Sequence, residues 1–138
     1  MNAAFLEIEI QQFIDDNINA DVSKLALQKN PFLEVEWNLI LQQLAAKQIA
    51  KTKLPTWFNT QNILYPSNIS VEQTSSEKTA EYKASLLSGE KLIDLTGGFG
   101  VDDFYFSKTI ENVVHCEINS ELSEIAKHNF QQLNVKNV

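Results

Sequence analysis

The stretch Lys91-Leu-Ile-Asp-Leu-Thr-Gly-Gly-Phe-Gly-Val-Asp-Asp103 decides the fold of this 138-residue chain. Its apolar start, residues 91–95, predicts a β-strand, and the three glycines that follow predict a tight turn. The aromatic run 104–106 predicts a helix directly after the turn. A strand, a glycine turn and a helix in this order are typical of a nucleotide-binding α/β fold.

The flanking sequence repeats the alternation of helix and strand. Upstream, Thr74-Ser-Ser-Glu77 has the pattern of a capping box and predicts a helix that ends at Ser88-Gly89. Downstream, residues 112–117 predict a second strand whose Val113-Val114 pair is typical of a buried parallel strand, and Asn119 or Ser120 is expected to cap a further helix. This order predicts a parallel sheet with right-handed crossovers.

The last residues, 134–138, resemble the entrance to a third strand. Because two parallel strands alone make a poor sheet, we expect this chain to be part of a longer protein. Residues 1–66 carry helical periodicity and then a connector between Pro55 and Pro66, whose Trp57 and Phe58 are expected to pack between lobes. The predicted fold class is therefore α/β, with a helical N-terminal lobe and connector over 1–66 and the first half of a Rossmann-like domain over 67–138.

Composition excludes several classes of function. With one cysteine and two separated histidines, the chain has no pattern that predicts a metal site or a disulfide. Neither a stretch of membrane-spanning length nor the layout of a secretory signal is present in the sequence, so we expect a cytoplasmic protein.

The charge balance argues against a strong nucleic-acid clamp, because the net charge is −7 and the chain contains no arginine. The exception is a basic group formed by Lys47, Lys51 and Lys53. Lys47 and Lys51 lie four residues apart and would share one helix face. That face is able to contact RNA phosphates, but a solvated helix face is the favoured interpretation.

The turn also predicts which ligand binds there. Glu117 ends the second strand, 23 residues after Asp94, which is the position from which an acid accepts hydrogen bonds from ribose hydroxyls. Asp94, Asp102 and Asp103 surround the glycines. These carboxylates would repel a pyrophosphate, whereas they suit a ligand that carries an ammonium and a sulfonium.

The segment Asp94-Leu-Thr-Gly-Gly-Phe-Gly100 resembles motif I of class I S-adenosylmethionine-dependent methyltransferases, and Cys116-Glu-Ile-Asn119 resembles their acidic second-strand end. Together with residues 55–60 and 72–77, these segments are similar to bacterial methyltransferases with a THUMP-like domain, which implies RNA modification. The resemblance covers essentially the whole chain. One departure is Thr96, which stands where the wider superfamily commonly has glycine.

The resemblance implies S-adenosylmethionine as cofactor, with the methionine part near Asp94, the ribose on Glu117 and the adenine against Ile118. Residues 73–75 would lie near the amino-acid end, although Thr74 also has a capping explanation. The complete set of implied cofactor-binding residues is Gln73, Thr74, Ser75, Asp94, Thr96, Gly97, Gly98, Gly100, Glu117 and Ile118.

No catalytic residue is assignable, because the resemblance places the acceptor-binding residues after the fourth strand, and therefore beyond Val138. We expect the chain alone to have no turnover. Two alternatives stay open at this stage. One is a nicotinamide-binding oxidoreductase, which the acids around the turn disfavour, and the other is a non-catalytic module whose helical lobe binds RNA or protein.

Overall fold

The computed structural model describes residues 3–138 and has nine helices and two strands in that range. A 3-10 helix, Ala3–Leu6, is followed by α1 (Ile8–Asp16), α2 (Val22–Leu25), α3 (Trp37–Lys53), α4 (Pro55–Asn59), α5 (Asn68–Gln73), α6 (Glu77–Ser85), β1 (Gly89–Asp94), α7 (Val101–Phe106), β2 (Ile110–His115) and α8 (Ser120–Gln132). None of the helices in this range combines the length and the apolar character that a membrane crossing requires.

The two strands pair in parallel, as the alternation of elements predicts. Lys91 lies opposite Asn112 and Asp94 opposite His115, so both strands end at the same edge of the sheet. The α/β fold class is therefore confirmed. The expectation of a fully buried second strand is wrong in part, because Val113 is buried whereas Val114 is 37% exposed.

The exposed side of the sheet is apolar near the carboxyl ends of the strands. Ile93 lies opposite Val114 in the register, and Leu95 comes two residues after Ile93, which places it on the same side. Ile93 is 55% exposed and Leu95 is 78% exposed. In a doubly wound fold, helices cover both sides of such a sheet.

The start of α6 differs from the predicted capping box. Ser76 is the N-cap, and its side chain accepts a hydrogen bond from the Thr79 amide. Thr74 instead ends α5. The box is wrong because Glu77 points away from the cap: its carboxylate accepts hydrogen bonds from the Thr56 amide and hydroxyl and from the Tyr105 hydroxyl. These donors satisfy a buried carboxylate better than one cap amide would.

The end of α6 also differs from the prediction. The helix stops at Ser85 with Leu86 as its C-cap, whereas Gly89 was expected to supply the left-handed residue that ends it. Gly89 begins β1. Three residues, 86–88, thus separate the end of α6 from Gly89, which is the first residue of β1.

The connector between the two prolines is more regular than its sequence indicates. Pro55 occupies the first turn of α4, where its missing amide costs no hydrogen bond. Trp57 on this helix is fully buried and packs against Phe99 and Phe104 of the α/β part. The predicted packing of Trp57 between the two parts is confirmed.

The buried side-chain amide groups of Asn129 and Gln43 hold the end of the connector in place. Asn129 of α8 accepts from the Leu64 amide at 2.9 Å and donates to the Leu64 carbonyl at 2.8 Å. Gln43 of α3 binds the amide and carbonyl of Tyr65 in the same way. Two consecutive residues are therefore held by helices from opposite parts of the chain. The hydrophobic core continues across residue 66, and the domain division predicted there stays a prediction.

Residues 134–138, which resemble the entrance to a third strand, form no strand in the described chain. The segment nevertheless lies beside β2, because the Val113 amide donates to the Asn137 carbonyl at 2.8 Å. The Asn137 side chain donates to the carbonyls of Ser107 and Ile110. These contacts dock the segment against the outer edge of β2.

Candidate functional site

The glycine turn connects β1 to α7 across the carboxyl ends of both strands. The Gly97 amide donates to the Cys116 carbonyl, and the Cys116 amide donates to the Asp94 carbonyl, each at 2.8 Å. A further bond from the Gly100 amide to the Gly97 carbonyl closes the turn. The turn is thus tied to the end of the second strand, where Glu117 follows.

Glycine is required at different positions of the turn for different physical reasons. At Gly97, an added Cβ would lie 2.2 Å from Nδ1 of His115, and at Gly100 it would lie 2.5 Å from the Phe130 ring. Packing alone therefore requires glycine at both positions. At Gly98, the nearest neighbour of an added Cβ is the Thr96 carbonyl oxygen at 3.7 Å, and φ is +56°. Gly98 is the position where the backbone is open to a ligand.

Glu117 and Ile118 lie beside this open backbone. The Gly98 amide donates to Glu117 Oε2 at 3.0 Å, and the Asn119 amide donates to Oε1 at 2.8 Å. Each carboxylate oxygen keeps a second lone pair that is able to accept a hydroxyl proton. Ile118 is fully exposed. The structure therefore brings the residues expected for ribose and adenine next to the turn.

Asp94 occupies the end of β1 and turns its carboxylate back to the loop. Its Oδ1 accepts from the Thr96 amide at 2.8 Å and lies 3.4 Å from the Thr96 hydroxyl. Thr96 is exposed, so its hydroxyl lies at the surface of the turn. This places both residues with Gly98 and Glu117 at one edge of the sheet.

A buried hydrogen-bonded pair of side chains lies below the turn. Asp103 is fully buried, and its Oδ2 lies 2.6 Å from Nδ1 of His115, whose side chain is 9% exposed. Burial raises the pKa of Asp103, and the charge of Asp94 raises it further, whereas the bond to His115 acts in the opposite direction. The sequence analysis missed this pair, because 12 residues and a strand boundary separate its members.

Of residues 73–75, Ser75 is the one whose side chain contacts the helix that follows the glycine turn. The Ser75 hydroxyl donates to Asp102 Oδ2 at 3.0 Å, and Lys83 Nζ lies 2.8 Å from the same carboxylate oxygen. Gln73 is exposed, and the Thr74 amide closes α5 on the Ser70 carbonyl. Sequence reasoning did not select Lys83, which has no motif around it and is positioned only by α6.

The basic group of the helical lobe is engaged within the protein. Lys47 forms an ion pair with Asp15 at 2.5 Å, and Lys51 donates to the Asn19 side chain at 2.8 Å. Lys53 donates to a backbone carbonyl at residue 72. An RNA phosphate on this face would have to displace these contacts. In the part of the chain that the structure describes, no cluster of three or more potential metal ligands occurs.

The comparisons with known proteins agree with the fold. Neither a protein-family profile nor a curated protein sequence matches this chain. A solved structure, named "putative methyltransferase" from Porphyromonas gingivalis W83, superposes with a TM-score of 0.75 and 27% sequence identity. The match covers 91% of this chain and 32% of that protein. The chain therefore has the α/β fold found in part of a methyltransferase-like protein and spans about a third of its length.

Proposed function

We propose that this chain is the cofactor-binding part of a class I S-adenosylmethionine-dependent methyltransferase. The observation that carries the proposal is the convergence of Asp94, Gly98 and Glu117 at the carboxyl ends of β1 and β2. An open backbone between two carboxylates suits an adenosyl ligand with a positively charged amino-acid arm. The similarity to a methyltransferase fold supports the same class.

The chemistry assigns a task to each residue of this edge. Glu117 accepts hydrogen bonds from the ribose hydroxyls with its free lone pairs, and the exposed Ile118 packs against the adenine. Asp94 and Thr96 line the methionine part, where the negative charge of Asp94 favours a sulfonium. S-adenosylmethionine supplies the methyl group, and alignment of its sulfonium with the acceptor is the main requirement for in-line transfer.

We further propose that a larger polypeptide completes the sheet and binds the acceptor. Ile93, Leu95 and Val114 form an exposed apolar surface on one side of the sheet, and helices cover such surfaces in complete α/β domains. The protein with the similar fold is about three times as long as the matched region. RNA is the acceptor that the sequence resemblance implies, and the catalytic residues would belong to the additional polypeptide.

Calorimetric titration of the full polypeptide that contains residues 1–138 tests the proposal. We expect S-adenosylmethionine and S-adenosylhomocysteine to bind and NAD not to bind. Glu117→Ala removes charge-assisted bonds to the ribose, which should weaken binding by about 1.5 to 3 kcal/mol. Glu111→Ala, an exposed carboxylate at the other end of β2, is the matched control and should bind normally.

Three outcomes would contradict the proposal. Binding of NAD without S-adenosylmethionine would assign the turn to an oxidoreductase, and binding of neither would favour a scaffold for interactions. Equal affinity of the Glu117→Ala and Glu111→Ala variants would remove Glu117 from the site. Urea unfolding of both variants controls for the loss of the bond between Glu117 and the Gly98 amide.

A further inference from the structure

Asp103 and His115 form a buried pair beneath the glycine turn, and the contacts proposed for the cofactor do not use it. Asp103 lies on α7, three residues after Gly100, and is fully buried. Its Oδ2 lies 2.6 Å from Nδ1 of His115, the last residue of β2. The His115 ring occupies the space in which a side chain at Gly97 would lie. The pair therefore packs directly against the turn.

The pair is able to change its charge by taking up a proton. With one proton, shared between Nδ1 and Oδ2, the two side chains carry one negative charge, and a second proton makes the pair neutral. Asp103 Oδ1 and His115 Nε2 are both buried and have no hydrogen-bond partner within residues 3–138. No third group in that range therefore fixes the protonation of the pair, and burial favours its neutral form.

The charge of Asp94 connects this pair to the surface of the site. Charged side chains on the elements around the pair include Asp94 on β1, Glu77 and Lys83 on α6, Asp102 on α7, Glu117 after β2 and Lys127 on α8. Asp94 lies opposite His115 in the strand register. Burial raises the pKa of Asp103, the hydrogen bond to His115 lowers it, and the negative charge of Asp94 raises it further. A ligand charge placed beside Asp94 thus acts on the pair.

We infer that the Asp103–His115 pair favours a sulfonium ligand over an uncharged one by releasing a proton to solvent when the cation binds, an inference that rests on the proposed function. A positive charge beside Asp94 offsets the negative charge that holds the second proton on the pair. Once this proton has left, the pair is negative and attracts the cation. Because Asp103 is shielded from solvent, its charge is screened less than that of a surface carboxylate.

This assignment makes Asp103 a residue that distinguishes the methyl donor from its product without touching the reacting atoms. S-adenosylmethionine carries a sulfonium, whereas S-adenosylhomocysteine carries an uncharged thioether. The two ligands share the adenosine and the amino-acid group, so contacts at Glu117 and Ile118 do not distinguish them. After methyl transfer, the pair takes a proton back from solvent, and the product lacks the attraction that held the donor.

Calorimetric titration of the full polypeptide in phosphate and in Tris, two buffers that differ in ionisation enthalpy, counts the protons released on binding. Between about pH 5.5 and about pH 7.5, we expect S-adenosylmethionine to release at least about 0.3 proton more than S-adenosylhomocysteine. Because a binding step that releases protons becomes more favourable as pH rises, the ratio of the two affinities should shift about 3- to 10-fold towards S-adenosylmethionine over this range. Both measurements use the unmodified protein.

A substitution in the pair identifies the source of the proton. Asp103→Asn keeps the shape of the side chain and an acceptor for His115 but removes the carboxylate. We expect the difference in proton release between the two ligands to fall below about 0.1 in this variant. Glu111→Gln neutralises an exposed carboxylate at the other end of β2, and this matched control should keep the difference.

The outcomes separate this inference from the proposed function. If the unmodified protein binds both ligands with equal proton release and a ratio of affinities that does not change with pH, the inference fails and the proposed function stands. A difference that persists in Asp103→Asn would assign the proton to another group and would also overturn the inference, even if the variant binds both ligands more weakly. If the unmodified protein binds neither ligand, both statements fail together.

Discussion

Replacement of Asn129 by alanine should strongly destabilise the protein. The Asn129 side chain is the hydrogen-bond partner of both the amide and the carbonyl of Leu64, at 2.9 Å and 2.8 Å. Asn129 is 1% exposed and Leu64 is 2% exposed, so water does not replace the lost contacts without a rearrangement. The substitution leaves one donor and one acceptor of the backbone buried without a partner.

The expected magnitude follows from these two stranded groups. A buried polar group without a partner costs about 1 to 3 kcal/mol, so the pair corresponds to about 2 to 6 kcal/mol of the free energy of unfolding. At this chain length, about 4 °C of melting temperature corresponds to each kcal/mol. Because Leu64 lies in the connector of the N-terminal part and Asn129 lies on α8, the loss should also weaken the contact between the two parts.

Urea unfolding followed by circular dichroism measures this change. Gln131→Ala removes an exposed amide from the same helix and should shift the free energy of unfolding by less than about 0.5 kcal/mol. Asn129→Asp keeps the shape and the acceptor for the Leu64 amide but places an oxygen opposite the Leu64 carbonyl. The reasoning is refuted if Asn129→Ala unfolds at the same urea concentration as Gln131→Ala.

Two further predictions concern the region below the glycine turn. Gly97→Ala places a methyl group against the His115 ring, and the hydrogen bond between His115 and Asp103 holds that ring in place. The substitution should lower the free energy of unfolding, measured in urea, by about 1 to 3 kcal/mol. An unchanged urea midpoint would show that the ring is free to move. Because burial raises the pKa of Asp103, the native state keeps a proton that the unfolded chain loses above pH 3.8, so this group lowers the free energy of unfolding as pH rises from 3.8 to its raised pKa. Asp103→Asn should remove this contribution, and the stability of the variant relative to the unmodified protein should increase over that window; parallel stability curves would contradict the assignment.

The parts of the fold that sequence analysis predicted correctly have local signals. Asn119 caps α8 as expected, because an asparagine side chain reaches an amide three residues later. The turn between β1 and α7 follows from glycines that are adjacent in the sequence. In both cases the residues that decide the structure lie within four consecutive positions of the sequence.

The parts that were missed depend on partners far apart in the sequence. Glu77 looks like the last residue of a capping box, but its bonds to Thr56 and Tyr105 reach 21 and 28 residues away. The ion pair of Lys83 with Asp102 likewise joins residues 19 positions apart. No periodicity or spacing encodes such contacts, because they arise only when α4, α6 and α7 pack together.

The docked C-terminal segment makes the two edges of the sheet unequal. Asn137 covers part of the outer edge of β2, where it binds the Val113 amide and the Ile110 carbonyl. The outer edge of β1 has no backbone partner among residues 3–138 and ends beside the exposed Ile93 and Leu95. Uncovered strand edges with apolar side chains are where chains associate and aggregate. We therefore expect isolated chains to associate through the outer edge of β1 more readily than through that of β2, and charged substitutions on β1 to reduce this association.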